Sequence, residues 1–556
     1  MHVPTRPPGP SGYDLSMYAG RWVACLRERV VGQGGTPEQA LRAAQASRFK
    51  ETPQVFYVPT AQPFTFHPIL DRILPALPPG IPVYLVGGAV RDAMLARLSH
   101  DLDFVLPANA LQVARQVANV IGGAFYPLDE ERNYGRVIFS DAEGTRLVLD
   151  FSAYQGPDLE SDLRGRDFTV NAMAVEVHQP QVLFDPLGGA ADLHARQLRA
   201  CSANAFSADP LRILRGVRLA AAFDFHIQPD SRQLMRQATH LLPRLSPERL
   251  RDELFRILDG PRPAAALRGL DILGVLPYVL PELSALKGVS QPSPHIHDVW
   301  DHTLDVLNKF NDVLDVLARQ PDPETAASLH MGQLSLRLGR YREQIDLHLA
   351  TALTPERSLR SLLSLAALYH DIAKPETSTA DEEGRIRFLD HDQIGAEIAS
   401  QRAHALQLSN AEIHRLKTIV RYHMRPLLLA NAARPPTRRA IYRFFRHAGP
   451  AGVDLCLLSL ADVLATYGPT LPQDHWANHI EVVRTLLSAW WERPSESIAP
   501  PSLVTGHDLI SELGLSPGPL IGQLLEAIRE AQAVGQIQDR AGALAFARSY
   551  LANYKI

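Results

Sequence analysis

The chain of 556 residues has very little cysteine. Cys25, Cys201 and Cys456 are odd in number and far apart, which excludes a disulfide framework and a cysteine-built metal cluster and makes a reducing cytoplasm the simplest home. Long apolar runs are missing too. A membrane helix needs about 18 apolar residues, and the stretch Leu455–Ala465 is broken by Asp462, so no membrane partner is expected. The N-terminus opens with prolines and shows no charged-then-apolar leader, so secretion is not expected. Positive charge is not in surplus: the net charge of −4 excludes a uniformly basic nucleic-acid coat and leaves room for a local basic face. Lysine is rare, and arginine richness on its own receives no functional weight. No internal repeat is found.

What is present is ordinary globular composition, with 46% hydrophobic, 21% charged and 7% aromatic residues, enough for three to five folded units. Residues 1–12 read as a flexible tail. Residues 13–60 read as a small appended module: a hairpin-like WVACLRERVVG, a helix opened by Thr36-Pro37-Glu38, and a short strand Val55–Val58, the proline at the first helical position being a start signal. Pro59 to Pro68 looks like a linker. Residues 69–200 alternate strands (Val83–Val86, Leu102–Leu106, Arg146–Phe151) with helices (Ala89–Leu98, Ala110–Ile121), an α/β or α+β unit. Beyond residue 200 helical periods dominate, divided here into 201–285, 286–470 and 471–556, with proline-rich breaks at 319–325, 433–437 and 492–501.

Two clusters carry chemistry. In the first, Gly87-Gly88 forms a turn between a strand and a helix, where backbone N–H groups can approach an anion, although such turns are often structural. Arg91 follows in the same block, and then Asp101-Leu-Asp103. At a strand's period of two, both carboxylates leave one face and repel unless a cation or a shared proton settles them. Asp150 closes the apolar strand Arg146–Phe151 and is the candidate third carboxylate. Farther on, Asp209, Arg212, Arg215 and Arg218 lie near one helix face. Three arginines together call for an anion such as triphosphate or for acidic partners, and a solvated face is the plain alternative. The second cluster is rich in histidine: His302, the adjacent His370-Asp371, His391, His423 and Asp462. Imidazole and carboxylate ligands suit Mn, Fe, Ni or Mg, and His-Asp closing the apolar helix LLSLAALYH is costly to bury without a metal or a partner.

The blocks LVGGAVRD, DLDFV, DLRGRDFTVNAMA (Asp162–Ala174), DPLGGAADL (Asp185–Leu193) and DPLRILRGVRLAA (Asp209–Ala221) resemble the class II tRNA nucleotidyltransferase and bacterial poly(A) polymerase family. The order H…HD…H…H…D, including HDIAKP, resembles the HD phosphohydrolase superfamily. Thr505–Gly522 looks like the C-terminal segment of HD-bearing tRNA nucleotidyltransferases, with a glycine-rich turn that could meet RNA phosphate or simply close a helical hairpin. The resemblance spans roughly 69–545. It implies an α+β fold: a polymerase-β-like palm at 69–200, a helical neck at 201–285, an HD domain at 286–470 and a helical RNA-binding tail at 471–556. It further implies Mg²⁺ at Asp101 and Asp103, with Asp150 catalytic. Gly87, Gly88, Arg91, Arg166, Arg215 and Arg218 would contact the nucleotide, and Asp209 with Arg212 would read the base edge. In the HD half, His302, His370, Asp371 and Asp462 would hold one ion (Mn, Ni or Fe), and His391 and His423 a second.

The expected activity is template-independent addition of C, A or both to tRNA 3′ ends from CTP or ATP, the oligomeric state being open. The alternatives are a poly(A) polymerase, a protein that is chiefly an HD phosphohydrolase, and an inactive RNA-binding scaffold, against which the intact aspartate pair speaks. Two departures matter. Ala208 stands where the family has Glu before Asp209. Only fifteen residues lie between Asp150 and Arg166, where full CCA-adding relatives carry a longer flexible segment. The stretch Phe151 to Gly165 reads as entering a helix at Asp158–Asp162, so partial addition, CC rather than A alone, is expected.

Overall fold

The computed structural model describes residues 15–554 except 27–28, 46–50, 61–62, 142–143, 322–327, 355–356 and 433. The expected tail at 1–12 and most of the break at 319–325 therefore lie outside the described residues. The chain divides into two compact units, Met1–Leu242 and Pro243–Ile556, and the division falls within the segment 201–285.

The first unit begins with a three-stranded antiparallel sheet, β1 (Arg21–Leu26), β2 (Arg29–Gly34) and β3 (Gln54–Val58), ordered β2-β1-β3, and a helix α1 (Pro37–Gln45). The Thr36 hydroxyl accepts from the Gln39 N–H at 3.2 Å, which starts α1 where the sequence indicated. The module is built into its neighbour rather than tethered to it. Trp22 is almost wholly buried and donates its indole N–H to the Leu183 carbonyl at 2.9 Å. Gln39 reaches the Pro186 carbonyl at 2.7 Å, and the Asp185 N–H donates to Gly35 at 2.8 Å. A Cβ on Gly35 would stand 1.5 Å from the Asp185 carbonyl oxygen, so only glycine permits this approach. The Pro59–Pro68 segment is anchored as well, with Phe64 exchanging two hydrogen bonds with the Gln181 side chain.

The palm is a seven-stranded sheet. Its strands are β4 (Tyr84–Val86), β5 (Asp101–Leu106), β6 (Ala124–Asp129), β7 (Tyr134–Ser140), β8 (Arg146–Ala153), β9 (Ala174–Glu176) and β10 (Gln179–Phe184), in the order β10-β9-β4-β5-β8-β7-β6. Within β5, Leu102 and Phe104 are buried while Asp101 and Asp103 face out, the period-two alternation of a half-buried strand. Helix α2 (Gly88–Met94) follows β4, and α3 (Ala110–Ile121) follows β5. Helix α3 buries Ala110, Val113, Ala114, Val117, Ala118 and Ile121, one apolar stripe at helical spacing that covers the sheet. Helix α2 stops short of the expected Leu98: Ala96 turns left-handed at φ 54°, and the Arg97 N–H returns to the Asp92 carbonyl, a helix-ending pattern that lets the chain turn back into β5. The pairing of β5 with β8 is parallel and sets Asp103 level with Asp150. Helices α4 (Leu159–Arg164), α5 (Gly189–His194) and α6 (Leu211–Phe223) complete the surroundings of the site.

Among its described residues the second unit is helical apart from the short hairpin Ser378–Ala380 with Ile386–Phe388 and an isolated bridge between Thr354 and Arg357. Five helices carry the histidine cluster: α7 (Val299–Val316), α8 (Leu359–Tyr369), α9 (His391–Ala405), α10 (Asn410–Tyr422) and α11 (Ala451–Tyr467). Helix α10 opens with a full capping box between Ser409 and Glu412. Every described residue of α8 except Arg360 is buried, and α11 is apolar on all sides because protein surrounds it, as a central core helix requires. Near the C-terminus α12 (Pro519–Ala533) has a small core of its own, centred on Leu509, Leu524 and Ile528.

Trp22→Ala is expected to destabilise the first unit by about 3–5 kcal/mol, measured by calorimetry as a lowered unfolding midpoint. An unchanged midpoint would mean that the module does not dock on β10.

Candidate functional site

Palm strands and helix α6 surround a cleft of about 360 Å³ lined by Asp103, Tyr134, Asp150, Arg166 and Arg215, with Asp129 and Arg132 at one side. Asp101 is exposed at the start of β5, on the same strand face as Asp103. Asp103 is exposed on the cleft wall yet crowded by protein. Loss of hydration, followed by the charges of Asp150 and Asp101, raises its pKa against the pull of Arg166 and Arg215. Such a surplus of negative charge on oxygen donors fits a divalent cation of the Mg²⁺ type, held by Asp101 and Asp103. Asp150 differs, because its oxygens are already engaged. The Arg136 guanidinium donates to both of them at 2.8 Å, and the Tyr134 hydroxyl donates to Oδ2 at 2.8 Å. Asp150 therefore stands beside Asp103 as an anchored charge.

The expected nucleotide contacts separate by position. Gly87, at φ 75°, is the turn that the strand-to-helix corner needs, and a Cβ there would press on Asp103 Oδ2 and Arg166 Nη1 at 3.1 and 3.2 Å. Gly88 begins α2 without lining the cleft. Arg91 is buried: it bonds Asp92 through Nε and Nη2 and Asn171 through Nη1, and it lies 4.4 Å from the Phe223 ring centroid. It acts as an internal strut and does not line the cleft. Arg166 lines the cleft with its Nε and Nη2 on Asp162 at 3.3 and 3.2 Å. Arg215 lines it too, paired with Asp167 at 2.9 Å. Burial opposes ionisation of Asp167, but Arg215, Asn171 and the Phe168 N–H hold its pKa below the usual range. Arg212 is bound to backbone carbonyls, Asp209 accepts from the Leu211 N–H at 3.2 Å, and the charge of Arg218 acts on Arg91. The four residues of the Asp209–Arg218 face are thus held separately, and only Arg215 lines the cleft.

Sequence reasoning passed over Tyr134, Arg136, Asp162 and Asp167. Three signals were available. Tyr134 and Arg136 alternate along β7, Asp162 lies one helical turn before Arg166, and Asp167 directly follows it.

In the second unit Asp371 stands among four imidazoles. Its Oδ2 is 3.1 Å from His370 Nε2 and 3.6 Å from His302 Nε2, and its Oδ1 is 3.5 Å from His391 Nε2 and 3.7 Å from His423 Nε2. Asp462 lies 3.2 Å from His302 Nε2. The Nδ1 atoms of His370, His391 and His423 face the carbonyls of Ala367, Phe388 and Val420 at 2.7–2.8 Å. A carbonyl only accepts, so each Nδ1 carries a proton and each Nε2 is the ring atom left to face the carboxylate. An Nε2 at that range from a carboxylate oxygen is settled by a proton or by a metal cation between them. The Nε2 atoms of His302 and His370 are buried and make no hydrogen bond, and two triads, His302–His370–Asp371 and Asp371–His391–His423, each bring their ligand atoms within 4.8 Å of one another. These residues fit metal ions. Lys374, 2.6 Å from Asp371 Oδ2, is a further neighbour that the histidine pattern did not indicate. Burial raises the pKa of Asp371, but His370 and Lys374 pull it well below the usual carboxylate range, while burial lowers that of His423 to about 4.

Four families match along the chain: a family of unknown function over residues 14–61, the poly A polymerase head domain over 83–199, a probable RNA and SrmB-binding site of polymerase A over 224–287, and the HD domain over 326–467. The A-adding tRNA nucleotidyltransferase of Deinococcus radiodurans is 35% identical over 483 residues, covering 86% of this chain and 97% of that protein. The chain belongs to the tRNA nucleotidyltransferase family. The CC-adding tRNA nucleotidyltransferase of Geobacter sulfurreducens is also 35% identical, over 84% of this chain and 91% of its own length. A solved CCA-adding enzyme in complex with ATP shares the fold, with a TM-score of 0.54, 20% identity, and coverage of 88% of this chain and 100% of that one. This nucleotidyltransferase is an enzyme with an α+β palm and helical domains after it, and its palm and HD domains both imply dependence on divalent metal.

In a nucleotidyltransferase of this geometry, Asp103→Ala is expected to lower transfer by about a thousandfold while leaving the far-ultraviolet circular dichroism unchanged. Normal transfer by that variant would remove Asp103 from the chemistry.

Proposed function

We propose that this enzyme adds the two cytidines, CC, to tRNA 3′ ends that lack them, with CTP as donor, and that a second enzyme supplies the terminal adenosine. The observation that carries this reading is the anchoring of the segment Phe151 to Gly165. Levering the site from C to A needs a segment with two positions of similar energy. Here the Tyr154 N–H donates to Leu106, the Gln155 N–H donates to Asp162 at 2.9 Å, and Asp158 caps α4 by accepting from the Ser161 N–H at 2.8 Å. The segment is short and tied at both ends. An A-adding and a CC-adding relative stand at the same identity, so identity does not choose between the two activities.

Asp101 and Asp103 would hold Mg²⁺, which would supply Lewis-acid chemistry toward the RNA 3′-hydroxyl and the departing pyrophosphate. Arg166 and Arg215, presented to the cleft by Asp162 and Asp167, receive the triphosphate. Asp209 and Arg212 read the base edge, which substitutes for a nucleic-acid template. Arg136 and Tyr134 hold Asp150 so that it tunes the charge at Asp103 without leaving its strand. The three unpaired cysteines suit a reducing cytoplasm.

A second activity is supported by the imidazole Nε2 atoms converging on Asp371: a metal-dependent phosphohydrolase that clears 2′,3′-cyclic or terminal phosphates, with Mn, Ni or Fe. His302, His370, Asp371 and Asp462 would hold one ion, and Asp371, His391 and His423 the other. His370→Ala is expected to abolish cyclic phosphodiesterase activity and spare nucleotide addition. Natively purified protein with no transition metal and no activity on added Mn or Ni would refute it.

For the main reading, tRNA lacking its CCA end is incubated with CTP and ATP together. The expected product is two nucleotides longer and ends in CC. Extension to full CCA, or addition of A to tRNA already ending in CC, would overturn CC addition.

A further inference from the structure

Asp103, Asp150, Arg136 and Tyr126 stand in one row across the palm. The strand registers set Asp103 opposite Asp150, Asp150 opposite Arg136 and Arg136 opposite Tyr126. Four neighbouring strands, β5, β8, β7 and β6, thus each place one of these side chains on the same face. With strands about 4.8 Å apart, the row runs roughly 14 Å outward from Asp103. Helix α3 covers the opposite face, where Leu102, Leu149 and Val137 are buried. The face bearing the row is open: Tyr126 is 48% exposed and the Arg136 side chain 37%.

The chemistry changes along the row. Arg136 gives Nε and Nη2 to Asp150, and its Nη1 makes no hydrogen bond among the described residues, so two N–H groups remain on a cation already fixed in place. An exposed ring beside such a cation is the combination that seats single-stranded nucleic acid, ring against base and cation against phosphate. The reaction gives the row a direction. In phosphoryl transfer the attacking hydroxyl and the departing pyrophosphate lie in line on opposite sides of the phosphorus. Arg166 marks the triphosphate side, next to Gly87 at the β4 corner: a Cβ on Gly87 would lie 3.1 Å from Asp103 Oδ2 and 3.2 Å from Arg166 Nη1. The acceptor hydroxyl therefore arrives from the β8 side, and Arg136 and Tyr126 lie along that approach.

We propose that Arg136 and Tyr126 seat the unpaired 3′ end of the acceptor RNA, Arg136 taking the last phosphodiester through Nη1 and Tyr126 stacking on the base before it. This rests on the reading above that the acceptor is a tRNA 3′ end. One strand spacing, about 4.8 Å, separates Asp150 from Arg136, which suits the reach of one nucleotide from its 3′-hydroxyl to its own 5′-phosphate. Neither contact reads a base edge, so the seat accepts any sequence, as an enzyme serving many tRNAs requires. The guanidinium that holds Asp150 is then the one that holds the RNA. Seating the acceptor and setting the carboxylate beside Asp103 become a single event.

The test uses the full chain, CTP and tRNA ending in a single C, with 2-aminopurine as the unpaired nucleotide before that C. Binding to wild type is expected to quench the 2-aminopurine fluorescence, as stacking does. Tyr126→Ala is expected to lose the quenching and to raise the KM for the RNA about tenfold, with the KM for CTP moving by less than about twofold. Tyr126→Phe, which keeps the ring, is expected to restore both. In the second arm a methylphosphonate replaces the last linkage and removes its charge without altering the protein. It is expected to raise the KM for the RNA about tenfold in wild type and to add nothing in Arg136→Gln. An unchanged KM for the RNA in Tyr126→Ala overturns the proposal, as does a neutral linkage that costs Arg136→Gln as much as wild type. Should Arg136→Gln fail to fold, the Tyr126 variants decide alone. A wild-type chain that adds no C to this RNA overturns the underlying CC-adding reading, a distinct result, because quenching is read from binding without any addition.

Discussion

The parallel register of β5 and β8 sets Asp103 level with Asp150, with Asp101 two residues away on the same face. Carboxylates so placed repel, and the surrounding chain is arranged to offset that repulsion. Arg136 neutralises Asp150 through two hydrogen bonds, while Arg166 and Arg215 bring positive charge to the cleft. Each of these two is steadied from behind by another acid, Asp162 or Asp167. Charge therefore alternates outward from the centre, acid to arginine to acid, and the arginines stay in place without a ligand. The second unit follows the same logic with other groups: Asp371 is the centre, Lys374 is the built-in cation, and the imidazoles wait for a further one.

Spacing within one element made much of this legible from the sequence. Asp-x-Asp on a strand, the adjacent His-Asp, and arginines three apart on a helix are local patterns, and the structure gives Asp101 and Asp103 the common strand face the first pattern implies. Partners brought by other elements were not legible. Nothing local tells that Asp150 meets Arg136 and Tyr134, or that Arg91 stacks on Phe223 inside the protein instead of lining the cleft. The end of α2 was overestimated because Leu95 and Leu98 continue an apolar period, whereas the need to re-enter the sheet at Asp101 stops the helix earlier. The docking of the N-terminal module was hidden for a related reason. Prolines around residue 60 look like a linker, and the Gly35 approach to Asp185 depends on an absent side chain rather than a present one.

Composition alone also misdescribes α11, which is long and apolar enough to cross a membrane yet is surrounded by protein. Its environment explains the pattern: Asp462, Asp454 and Ser459 each face a defined partner, namely His302, His348 and His479. Polar groups spaced along an otherwise apolar helix are read better as inward attachments than as interruptions of a lipid-facing run.

An open sheet ends in two strands whose unpaired backbone invites pairing with another copy. The palm meets that hazard differently on its two sides. At β10 the Leu183 carbonyl, which a foreign strand would seek, already receives the Trp22 indole, and Gln181 is taken up by Phe64. At β6 the strand carries Pro127, which has no N–H to give, and its pairing with β7 shifts between Pro127 and Asp129. The N-terminal module thus shields one border of the sheet from self-association, and a proline with an irregular register shields the other. Trimming the chain back to its palm would reopen only the first of these borders.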